Sequence, residues 1–144
     1  MKRFFVKTCI LLVTISILFS SVAYAAVIEP DEPQASRYIT STFARIVPTG
    51  NGNFRVDFDV VGTRTLDKLG ATQIVIYKGS SIVGRIWYTS TAGSEMMGYN
   101  CVVHAGSASY SGVSGEKYHA IVYFYGADSS GGDTKPYTTA VVKV

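Results

Sequence analysis

The chain has 144 residues and a formal net charge of +3, from 13 Lys and Arg against 10 Asp and Glu. The excess sits at one end: Lys2, Arg3 and Lys7 precede an apolar run from Cys9 to Phe19, which leads through Ser20-Ser21-Val22 to Ala23-Tyr24-Ala25. A basic start, a short apolar stretch and an A-x-A ending are the parts of a secretory signal peptide, so residues 1–25 are expected to be cleaved and residues 26–144 exported. An uncleaved anchor is the rival reading, since a span needs ~20 apolar residues and residues 8–25 approach that length.

With those three cations gone, ten basic side chains face ten acidic ones and the mature chain is neutral. Neutrality excludes the electrostatic footprint of a nucleic-acid binder. It equally excludes attraction to anionic lipid headgroups, so no membrane contact is expected after cleavage. About 119 mature residues make one domain, large enough to bury its own core. Cys101 is then the only thiol, so an intramolecular disulfide is impossible. A lone Cys is expected to be a small buried hydrophobe, with an intermolecular disulfide as the alternative.

Composition sets the fold class. Only Leu66 and Leu69 of the five leucines lie outside the signal peptide, whereas the mature chain holds 14 Val, eight Ile, 11 Thr and nine Tyr. Branched and aromatic residues suit a pleated surface. No stretch carries a long apolar period of the helical kind. Residues 26–35, with two prolines and three carboxylates, read as an exposed acidic leader. A first strand is expected within Ser36–Val47, then a turn over Pro48–Asn53.

The second strand is the clearest. Phe54, Val56, Phe58 and Val60 alternate with Arg55, Asp57 and Asp59, which puts apolar groups on one face and charges in water. Gly62–Gly70 reads as a connection in which Leu66 and Leu69 form one helical turn plugging the core. Further strands are expected over Thr72–Lys78, Ile82–Thr89, Val102–Tyr110, Tyr118–Tyr125 and Tyr137–Val144. Ser90–Cys101 is the longest irregular stretch, and Ala127–Thr134 a polar hairpin loop. About seven strands with turn signals between them predict an all-β domain over 36–144, a single antiparallel sandwich of the immunoglobulin or fibronectin-III kind. A small closed barrel is the alternative. Tyr118, entering the next-to-last strand, suits the corner where a Tyr bonds back to the chain upstream.

Gly70-Ala-Thr-x-Ile-Val-Ile-Tyr77-Lys78, Met96-Met97-Gly98-Tyr99-Asn100, His104-x-Gly-Ser107 and Gly115-x-x-Tyr118 resemble a family of small secreted proteins from Gram-positive, clostridial-type bacteria. The resemblance covers roughly residues 36–144 and implies a bacterial, exported domain of unknown function. It implies no catalytic residues.

Catalytic and metal-binding constellations are wanting. His104 and His119 are the only histidines, and no Gly-x-Ser-x-Gly elbow presents a serine to either. His119 is expected to face solvent. Cys101 and His104, three apart on an extended strand, are expected on opposite faces, against a zinc site. Asp128-Ser-Ser-Gly-Gly-Asp133 offers hard ligands that calcium prefers, yet reads as an ordinary hairpin tip. Asp57 and Asp59 stand about 7 Å apart, a glycosidase-like spacing, but form a solvated charge stripe with Arg55.

The expectation is therefore a secreted, extracellular, non-enzymatic binding protein that needs no cofactor and no metal. A protein partner at or outside the cell surface would meet the 90–101 loop, through exposed Met96, Met97 and Tyr99, because flexible Met side chains adapt to partner surfaces. The alternative is a carbohydrate-binding module that takes a cell-surface glycan on the exposed rings of Trp87, Tyr123 and Tyr125.

Overall fold

The computed structural model describes residues 36–144. The expected signal peptide, 1–25, and acidic leader, 26–35, lie outside the described residues. The elements are β1 (Ile39–Gly50), β2 (Asn53–Lys78), β3 (Ser81–Trp87), a 3-10 turn (Thr91–Gly93), β4 (Met97–Ser111), β5 (Lys117–Asp128), β6 (Gly131–Thr138) and β7 (Val142–Lys143). All pairings are antiparallel. The all-β expectation is met.

Local chemistry accounts for the first hairpin. Gly50 pairs with Asn53, so Asn51 and Gly52 form a two-residue turn with φ of 54° and 79°. Positive φ at both positions is what the right-handed strand twist selects, and Asn-Gly meets it cheaply. In β2 the alternation holds as read: Phe54, Val56, Phe58 and Val60 are buried, and Arg55 holds Asp57 by a 2.6 Å contact on the wet face.

Residues 62–70 depart from the expectation. They form no connection and no helical turn but continue the strand, so β2 runs for 26 residues. The physical reason is a bulge. Val61 pairs with Val103 and Leu66 with Cys101, so β2 spends five steps where β4 spends two. Surplus residues in one strand bend it and increase its twist. The bend aims Leu66 and Leu69 into the core, where both are fully buried. Thr63 N–H, thrown out of the ladder, donates to Tyr38 O at 2.9 Å.

The bend also decides the architecture. The first half of β2 lies between β1 and β4, and the second half between β3 and β5, with β6 and β7 beyond on β5. All seven strands thus belong to one continuous sheet, curled into a half-barrel. The two separate sheets of an immunoglobulin-like sandwich are not what the pairing shows. The halves instead pack their inner faces together through Phe58 on Phe124 (5.9 Å between ring centres) and Phe54 on Tyr118 (5.1 Å).

Side chains close the two open flanks. Where β1 approaches β6, Phe43 meets Tyr137 edge-on at 6.1 Å, and Asp133 accepts from Ser36 Oγ and Arg37 N–H. Where β3 approaches β4, Tyr110 Oη donates to Val83 O at 2.7 Å. The expected loop 127–134 is a two-residue turn, Ser129-Ser130, since Asp128 pairs with Gly131. Hydrogen bonds from Ser130, then Arg64, hold the Asp128 carboxyl down to about 2. Tyr118 fills the corner role, its Oη accepting Val113 N–H at 2.9 Å.

If the bend is what organises the core, Leu66→Ala costs about 2–5 kcal/mol, a large buried truncation. Asp67→Ala, its exposed neighbour, stays within about 0.5 kcal/mol. Urea unfolding followed by circular dichroism measures both.

Candidate functional site

The second half of the sheet has a fully used inner face. Ile74 and Ile76 on β2, with Tyr118, Ala120, Val122 and Phe124 on β5, are each at most 3 % exposed. Alternation sends their neighbours outward: Gln73, Val75 and Tyr77 on β2, and His119, Ile121, Tyr123 and Tyr125 on β5. Register then arranges this outer face in rows. Trp87, Gln73, Tyr123 and Pro136 form one row across β3, β2, β5 and β6. Arg85, Val75, Ile121 and Thr138 form the next. Beyond them Tyr77 stacks on His119, with ring centres 4.9 Å apart and planes within 8°. On the opposite side Met97, Gly70, Tyr125 and Thr134 share a row.

The three ring residues singled out in the sequence therefore meet on one face. Trp87 and Tyr123 are two strands apart, about 10 Å, and Tyr123 and Tyr125 are one pleat repeat apart, about 7 Å. Trp87 is 50 % exposed, while Tyr123 and Tyr125 are half-buried. The backbone under Trp87 is fixed: its carbonyl accepts from Ser90 N–H at 2.9 Å and Ser90 Oγ at 2.6 Å. Gly93 comes so close to that carbonyl that a Cβ would collide with it.

Two residues show how dense this outer layer is. Val75 lies outside the main core cluster yet is 1 % exposed, so the surrounding side chains exclude water from a face that alternation assigns to solvent. Gln73, between Trp87 and Tyr123 in the row, has a buried Nε2 with no hydrogen-bond partner. A buried amide N–H left unmade costs free energy, so an unpaired one calls for a reason. Neither Gln73 nor the Tyr77–His119 stack was legible in the sequence. Alternation marks them as outward-facing, but only cross-strand register sets Gln73 between Trp87 and Tyr123 and brings Tyr77 onto His119.

The loop reading needs correction. Met96 is fully buried, and Met97 is 8 % exposed. Ala71 N–H donates to Met96 O at 2.7 Å, and Met97 already belongs to β4, paired with Gly70. The two methionines are core and sheet residues because the β3–β4 connection turns inward at the 3-10 turn to seal the half-barrel. Tyr99 alone of that group is exposed, at 59 %, with Val102 and Val103 near it on β4.

The remaining constellations have the following geometry. Cys101 and His104 do not point to opposite faces: a Cβ at Gly98 would meet His104 Nδ1 at 2.6 Å and Cys101 Sγ at 3.0 Å. The strict alternation fails where the register shifts, between Cys101 and Val103. His104 Nε2 lies 3.0 Å from Glu95 O, and a carbonyl only accepts, so Nε2 carries the proton and Nδ1 faces the thiol side. Burial pushes the Cys101 thiol up, which keeps it protonated and weakly nucleophilic. Among the described residues no group of three or more His, Cys, Asp or Glu is placed to hold a metal ion. Asp128 and Asp133 spend their carboxylates on Ser130, Arg64, Ser36 and Arg37.

Truncating the two parts of the corrected loop separates core from surface. Met96→Ser is expected to lower stability by about 2–5 kcal/mol. Tyr99→Ser changes it by less than about 0.5 kcal/mol. Thermal melts of the two variants check this. No protein-family model matches the chain, and neither a curated protein nor a solved structure matches it.

Proposed function

We propose that this is a secreted, non-enzymatic binding protein whose ligand-binding face is the outer surface of the second sheet half. The ligand class we propose is carbohydrate at or outside the cell surface. The observation that carries the reading is the row Trp87–Gln73–Tyr123–Pro136, flanked by Tyr125. Flat rings on a rigid sheet bind sugar rings through their faces, with little side-chain entropy to lose. A polar amide set between them supplies the directional bond that apolar stacking lacks. Gln73 holds that place in the row, and its Nε2, buried and unpartnered at rest, gains a partner when the side chain turns out toward the ligand.

The basic, apolar and A-x-A segments of residues 1–25 support export, and the motif resemblance supports a Gram-positive, clostridial-type source. Face-to-face packing of the two sheet halves supports calling the domain sandwich-like in its layering. No helix among the described residues is long and apolar enough to cross a membrane. The protein-partner reading keeps one specific observation, the exposed Tyr99 with Val102 and Val103, and loses its methionines.

Retention on insoluble polysaccharides and a glycan array test the proposal. The protein is expected to be retained on at least one glycan, and Trp87→Ala with Tyr123→Ala to weaken that binding by about tenfold or more at unchanged melting temperature. Binding that survives the double substitution rejects this face. Absence of retention on every glycan rejects the ligand class.

A further inference from the structure

Trp87, Gln73, Tyr123 and Pro136 form the central row of the aromatic face. Tyr125 and Thr134 flank it on one side, and Arg85, Val75, Ile121 and Thr138 on the other. None of these positions holds Asp or Glu, and Arg85 holds their one permanent charge. Arg85 is exposed. Arg45, Arg55 and Arg64 each face a carboxylate, and Arg64 also covers the Tyr38 ring. Among the described residues Arg85 has neither kind of partner, so its guanidinium stands uncommitted. Edge strands carry charge to deter pairing, but that role is indifferent to sign and to face. Ligand binding is not indifferent: a lone cation beside the rings attracts an anionic group and repels a cationic one.

We infer that the ligand of this face is an acidic glycan, an extended β-1,4-linked hexose chain bearing a carboxylate, and that Arg85 binds the carboxylate; this deepens the carbohydrate reading above and rests on it. Spacing sets the chain. Trp87 and Tyr123 stand about 10 Å apart along the row, a length that matches the two-residue repeat of an extended β-1,4-linked chain. Alternate sugars then meet the rings, and the sugar between them meets Gln73. Tyr123 and Tyr125, about 7 Å apart along β5, match neither one sugar nor two, so the chain crosses the strands instead of following them. Offset sets the acid. Arg85 precedes Trp87 by one pleat repeat, about 7 Å to the side of the row. A chain lying on the row therefore presents to Arg85 a ring substituent, a carboxylate at C6, and not the ring itself. The planar guanidinium takes a carboxylate through two parallel N–H donors. A single guanidinium suits a single carboxylate, whereas a densely sulfated chain needs a broad basic field.

Titration calorimetry with matched probes tests this: β-1,4-linked glucose and mannose oligosaccharides against glucuronate and mannuronate chains of the same linkage and length. At low salt at least one uronate chain is expected to bind about tenfold or more tighter than its neutral counterpart. That advantage shrinks as salt is added. Arg85→Gln is expected to remove it at unchanged melting temperature, since the side chain is exposed. Trp87→Ala with Tyr123→Ala weakens the binding of both kinds of chain. Equal affinity for acidic and neutral chains overturns the inference, and so does a preference that survives Arg85→Gln. A protein retained on other glycans that binds no uronate chain overturns the inference and leaves the carbohydrate reading standing. A protein retained on no glycan at all overturns both.

Discussion

Everything in this fold depends on one strand that changes neighbours halfway. β2 cannot be flanked by β1 and β4 in its first half and by β3 and β5 in its second unless it bends between them. The bulge between Val61 and Leu66 supplies the bend. What holds it is burial: Leu66 and Leu69 leave water completely, each transfer contributing about 1.5–3 kcal/mol. The curl brings Phe58 onto Phe124 and Phe54 onto Tyr118, so two faces of one sheet make one core. Among the described residues no disulfide assists, since Cys101 is a free thiol.

The same bend organises the outer face. A flat sheet would leave the rows on the second half to splay. In the curled sheet the inner face is filled by the facing half, and the outward residues of β2 and β5 form a continuous layer tight enough to bury Val75. The aromatic side chains there are therefore not scattered surface rings. They sit on a backbone pinned from below by the core and from the side by the Ser90–Gly93 segment. Such preorganisation is what an extended ligand requires if binding is not to be spent on ordering the site.

Legibility in the sequence followed the range of each interaction. Alternation in Phe54–Val60, the Asn51-Gly52 turn and the Tyr118 corner are local or nearly so, and each appears where the residues place it. The break comes at Gly62–Gly70. Its Gly, Thr and charged residues look like a loop, and only the distant pairing of Leu66 with Cys101 and Leu69 with Gly126 makes it strand. The same limit applies to the site. Trp87, Tyr123 and Tyr125 are visible as outward aromatics from their own strands, but Gln73 joins them only through register. Met96 and Met97 escape the sequence for a related reason: an apolar loop reads as exposed unless the open flank of the half-barrel that it fills is seen.

The central claim is that the face carrying Trp87, Gln73 and Tyr123 receives a sugar ligand. The most direct measurement is a nuclear magnetic resonance titration of the labelled protein with soluble oligosaccharides from any glycan that retains it. The account predicts shifts concentrated on the Trp87 indole, the Gln73 side-chain amide and the amides of Tyr123 and Tyr125, with Tyr99 and Val103 unmoved. Shifts centred on Tyr99–Val103, or spread over the β1 side of the sheet, would contradict it.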